Sequence, residues 1–206
     1  MMWRIERWLS EVFPGESNIY SEYCDLPPRE LAIVAAAVLD AALAELLSLR
    51  LAGHEREAES FLGLDGDGRA PAGSFGARIQ LALLVGLISY DDAIILRTIK
   101  ELRNIFAHRV RVGFLSPSVL KITKKLHTLW LKRIDVLARA GMISRASGQP
   151  HLLVQHLPHR SEAGEGLLLA VFTVYHAYFH RLHTRVREVS SVVAESSGGK
   201  RHHAGP

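Results

Sequence analysis

A single cysteine, Cys24, stands among 206 residues. One thiol excludes an intramolecular disulfide framework and any multi-cysteine zinc site, and it fits a reducing cytosol. The alternation that marks strands is scarce, and helical periodicity dominates in its place. An uninterrupted apolar run of bilayer length is missing too. Asp40 and Glu45 break the stretch 31–49, and the run from Ile79 to Tyr90 is too short to span. The start, Met1-Met2-Trp3-Arg4-Ile5-Glu6-Arg7, carries charges where a signal peptide needs an apolar stretch. These absences point to a soluble cytoplasmic protein without a membrane partner.

Positive charge is also scarce, but only in the first half. Residues 1–100 hold 9 Lys and Arg against 15 Asp and Glu, a balance of −6. Residues 101–206 hold 16 against 6, a balance of +10, together with ten of the eleven histidines. The net charge of +4 conceals this split. A basic half of this kind meets nucleic acid or an acidic partner. Apolar residues at 48% and charged residues at 22% suffice for a folded core, and the length suits one domain with appendages.

The periodicity predicts an all-α fold: a single domain of five to six helices with a C-terminal helical extension. Residues 3–13 read as a short amphipathic helix stopped by Pro14-Gly15, so 1–26 form a helix and linker. Pro27-Pro28 open an alanine-rich helix over about 29–51. The loop that follows contains Asp65 and Asp67, but Arg69 and Gly76 occupy positions where a calcium loop needs ligands. Ser74 caps a helix to about Leu87, on which Phe75, Ile79 and Leu83 form a stripe. Ser89 and the acidic pair Asp91-Asp92 begin another, packing through Ile95, Ile99, Leu102 and Phe106 and ending near His108. Ser116-Pro117 start a helix that Gly141 ends. The domain therefore spans 27–140. The extension, 141–195, holds an irregular stretch with one short strand at His151–His156 and a final helix over about 165–195. A polar tail fills 196–206.

The sharpest chemical signal is Arg103-Asn104-Ile105-Phe106-Ala107-His108. Histidine has a pKa suited to proton transfer, and arginine stabilises a phosphorane. The pair would suffice for metal-independent RNA cleavage. On an ideal helix, however, the two side chains diverge by about 140°. The alternative is architectural: His108 at a favourable helix C-terminus and Arg103 paired with a carboxylate. Arg78, one turn after Ser74, is a candidate partner for Asp40 or Glu45, and such a pair fixes helix register.

A second signal is a basic stripe. On the helix from Ser116, Lys121, Lys124, Lys125, Lys132 and Arg139 share a sector about 100° wide. Ile122, Leu126, Leu129, Trp130 and Leu137 occupy a separate one. The stripe is either a phosphate-binding face with steep salt dependence or a solvated lysine face. Residues 137–154 have a superficial winged-helix cue, but the helix before them is too long for a recognition helix. His176, His180 and His183, with Arg187, share a face of the last helix. The spacing is compatible with metal, but no carboxylate shares the stripe, so a wet histidine face is expected. No metal site and no cofactor is assigned.

The stretches Leu31–Asp40, Leu43–Leu47, Gly73–Ile79, Leu81–Ser89 and Ile99–His108 resemble, in order and spacing, the mannitol operon repressor (MltR-like) family. The resemblance covers about half the chain. It implies an all-helical regulatory or interaction protein, associated with transcription, non-catalytic and acting through a protein partner. The Arg-Asn-x3-His spacing is also similar to that of HEPN domains, helical modules that include dimeric ribonucleases. By that resemblance Arg103, Asn104 and His108 would be the catalytic residues, meeting across a homodimer. The segment Arg109–Phe114 departs from the polar continuation usual there.

Overall fold

The computed structural model describes residues 23, 26–51, 54–64, 69–142 and 163–198. The expected N-terminal helix, Cys24, Asp65 and Asp67, the strand at 151–156, most of the winged-helix cue and the end of the tail lie outside the described residues. Among those described the chain is all-α, with six helices and no strand. They are α1 Pro28–Arg50, α2 Glu55–Leu62, α3 Phe75–Leu84, α4 Tyr90–His108, α5 Pro117–Arg139 and α6 Ala163–Gly198.

Proline sets where α1 begins. Pro28 occupies its first turn, where a missing N–H costs nothing, and Glu30 complements the positive helix end. Its alanines let neighbours come close on several sides. Leu31, Leu39, Leu43, Leu46 and Leu47 are fully buried, each contributing about 1.5–3 kcal/mol by leaving water. Alone among the described helices, α1 has the length and apolarity to cross a bilayer. Here those apolar groups face α3, α4 and α6, and α1 is the central helix of a single core.

The other helices surround it. α4 uses Ile95, Ile99, Leu102 and Phe106, all buried as the spacing predicts. It starts at a full capping box, with Ser89 and Asp92 each bonding the other's backbone N–H. α5 buries Ile122, Leu126, Trp130 and Leu137 against α4 and ends at Gly141, whose φ of 65° suits glycine. The short α2 goes unread in the sequence because it is polar, burying only Ala58 and Leu62. α6 belongs to the same core rather than standing apart. Phe172, Tyr175 and Phe179 are buried, and the helix packs along α1 more extensively than any other element does. Gly164 permits the approach at its start, since a Cβ there would lie 2.8 Å from the Phe114 ring.

Candidate functional site

The first turn of α3 organises the site. Ser74 Oγ accepts from the Ala77 N–H at 3.2 Å and fixes where the helix begins. Arg78 follows one turn later, and its guanidinium is spent on three partners. Nε donates to the Ala72 carbonyl at 3.1 Å, Nη2 to the Leu62 carbonyl at 2.6 Å, and Nη1 to Asp40 Oδ1 at 2.8 Å. The planar fork therefore joins α1, the end of α2 and the loop before α3. Of the two carboxylates that the sequence offers Arg78, Asp40 is the one it meets. Burial pushes the Asp40 carboxyl above its ordinary range, against the opposing pull of Arg78 and, from further away, Arg103.

Beside this pair lies a cavity of about 620 Å³ between α1, α3 and α4. Ala36, Ala37, Ala41 and Ala44 form an α1 wall, from which Asp40 and Glu45 project. Phe75, Ser74 and Arg78 face it from α3 and its cap, and Lys100 and Arg103 from α4. Glu45 is backed by α6, where His183 Nε2 stands 3.5 Å from its Oε1.

Arg103 and His108 diverge as the helix geometry predicts. Arg103 is exposed, edges the cavity and donates from Nη1 to Asn104 Oδ1 at 3.0 Å. His108, exposed on the last turn of α4, is not part of the cavity wall. Lys121, Lys124, Lys125, Lys132 and Arg139 are all exposed along α5. Lys125 lies 3.8 Å from Glu101, a solvent-screened contact worth about 0–1 kcal/mol.

The expected wet histidine face is corrected at two of its three positions. His183 is buried against Glu45, a carboxylate supplied by another helix rather than by its own stripe. Burial, with the charge of His180 adding to it, lowers His176 from its ordinary 6.5 to about 4. His180 alone is exposed, and the Arg187 side chain lies outside those described. Among the described residues no group of three His, Cys, Asp or Glu could hold a metal ion.

Sequence reasoning missed a heavily bonded buried charge. Asp92 is fully buried. Arg133 grips it with Nε at 2.6 Å and Nη2 at 2.7 Å, Tyr175 Oη donates at 2.8 Å, and Ser89 Oγ donates at 2.7 Å. Burial opposes the charge on Arg133, but the bond and charge of Asp92 outweigh it and raise the Arg133 pKa further. Burial raises the Tyr175 hydroxyl well above its ordinary range, and the Asp92 charge adds to that. A signal was present: Arg133 falls at about 120° from Lys121, inside the apolar sector of α5. An arginine there must find a buried anion.

The fold and cavity define an all-helical protein with a polar cavity between α1, α3 and α4. No family model matches this chain, and no curated protein and no solved structure matches it either.

Proposed function

We propose that the chain is a non-catalytic cytoplasmic regulator of the mannitol operon repressor (MltR-like) kind, associated with transcription and acting as a homo-oligomer through a protein partner. One observation carries this reading. The segments that resemble the family fold into α1, α3 and α4, and their polar residues Asp40, Glu45, Ser74, Arg78, Lys100 and Arg103 converge on one cavity. Both carboxylates there are already engaged, Asp40 by Arg78 and Glu45 by His183. His108 stands outside, so the cavity gathers these polar groups without the arginine–histidine pair that RNA cleavage needs.

The test is genetic complementation with transcript measurement. Deleting the gene should change a defined set of transcripts, and wild type and His108→Ala should restore them equally. If His108→Ala fails to restore them, and purified wild type cleaves RNA in EDTA while the variant does not, the HEPN-type nuclease replaces this reading. A second reading, nucleic-acid binding by the basic half, draws support from the exposure of Lys121, Lys124, Lys132 and Arg139 along α5. It requires affinity that falls steeply with salt and falls again when the three lysines become Ala.

A further inference from the structure

The cavity between α1, α3 and α4 has charges that the chain's own groups leave unbalanced. Its carboxylates are engaged, but of its three cations only Arg78 has a carboxylate partner. Lys100 and Arg103 make no ion pair among the described residues, and Arg103 bonds only the neutral Asn104. The two cations stand three residues apart on α4, so their Cβ atoms are neighbours at roughly 5–6 Å. Lys100 lies across the first turn of α3, in the space that Gly76 leaves open. A Cβ there would lie 2.5 Å from Lys100 Nζ and 3.3 Å from its Cε. Two unpaired like charges gathered over an alanine wall repel one another, and a ligand bearing two negative charges on one group relieves that.

The geometry points to a binding site for a small phosphate monoester in this cavity, its phosphate between Lys100 and Arg103 and its organic body against Ala37, Ala41 and Phe75. A phosphate monoester carries about −1.5 to −2 charges at pH 7, which matches two monocations; a single carboxylate leaves one cation uncompensated. Arginine brings a fork suited to phosphate oxygens and lysine a movable point charge. The volume of about 620 Å³ is that of a small-molecule site. Nothing in this site depends on the regulatory role proposed above.

Titration calorimetry of the full chain at pH 8, in buffers of matched ionic strength, tests the site with inorganic phosphate and phenyl phosphate as probes. Both should bind, phenyl phosphate at least tenfold more tightly because its ring reaches the Ala and Phe75 wall. The double variant Lys100→Gln/Arg103→Gln should weaken phenyl phosphate at least tenfold while its circular dichroism and melting remain those of wild type. His108→Ala should leave the affinity within twofold. Heats no larger than those from added NaCl, or a smaller loss in the double variant, would overturn the site. A tenfold loss in His108→Ala would move the anion to the end of α4 and overturn it equally. Equal affinity for the two probes would remove the organic body and leave a free-phosphate site in its place.

Discussion

Replacing the buried Asp92 with Ala should destabilise the protein far more than replacing its exposed neighbour Asp91. The carboxylate has no exposed area, and it balances Arg133, whose side chain is only 10% exposed. Removing one partner of a buried, hydrogen-bonded pair costs about 3–5 kcal/mol, because the other charge is left without compensation. The same change removes the acceptor for Tyr175 and half of the capping box of α4. These losses overlap, since all run through one carboxylate, and a total of about 4–5 kcal/mol is expected. That is a large share of the roughly 5–15 kcal/mol that holds a typical domain together. Urea unfolding followed by circular dichroism measures it, with Asp91→Ala as the control. Asp91 is exposed and offers only a helix-end charge, worth about 0.3–1 kcal/mol. The decisive arm is Asp92→Ala/Arg133→Met, which removes the stranded cation and should recover part of the loss. A cost below about 1.5 kcal/mol for Asp92→Ala, or strictly additive single changes, would refute the buried-pair account.

Three further outcomes follow from the same contacts. Arg78→Ala should cost about 2–3 kcal/mol in chemical unfolding, because it strands Asp40 and two buried carbonyls, and Arg78→Lys should restore little, since an ammonium cannot reach three divergent acceptors. Stability should fall as pH drops from about 6.5 towards 4, because the unfolded chain protonates His176 before the folded one does. Its contribution is whole above the ordinary histidine value and of order 1–3 kcal/mol, and His176→Gln should flatten the slope of urea midpoints against pH. Lys121→Ala, Lys124→Ala and Lys132→Ala should each leave stability within about 0.5 kcal/mol, and a larger loss in any of them would mean that the stripe is structural.

The helices were legible where their signals are local. Pro28, Ser74, Ser89 and Pro117 mark starts that the caps and first turns bear out, and the stripe Ile95, Ile99, Leu102, Phe106 identifies the buried face of α4. Register between helices was less legible, because it rests on which charges meet across the core. Arg78 had two candidate carboxylates at equal standing until packing brought Asp40 within 2.8 Å. The burial of His183 depends on Glu45, 138 positions earlier, and no pattern within the last helix encodes it. The cavity was hidden for the same reason. Its residues come from three separate segments, and the one fused signal, Arg103 through His108, turns out to face two ways.

The split in charge along the chain takes on a different meaning once these contacts are placed. An acidic first half and a basic second half suggest an outside partner for the basic one. Yet Asp92 with Arg133 and Glu45 with His183 each join an acid of the first half, on α4 or α1, to a base on α5 or α6. Part of the imbalance is therefore the means by which the last two helices are fastened to α1 and α4. Among the described residues the exposed cations of the second half include Lys121, Lys124, Lys132 and Arg139 on α5, Arg109 and Arg111 just after α4, and Arg185 on α6. The α5 face offers the longest row of these cations to an external partner selected by charge, while the small anion proposed above would sit between Lys100 and Arg103 on α4. The two predict different salt responses. Binding spread along the α5 face loses affinity with a slope set by the number of phosphates it touches, whereas a partly enclosed site with two cations is screened much less.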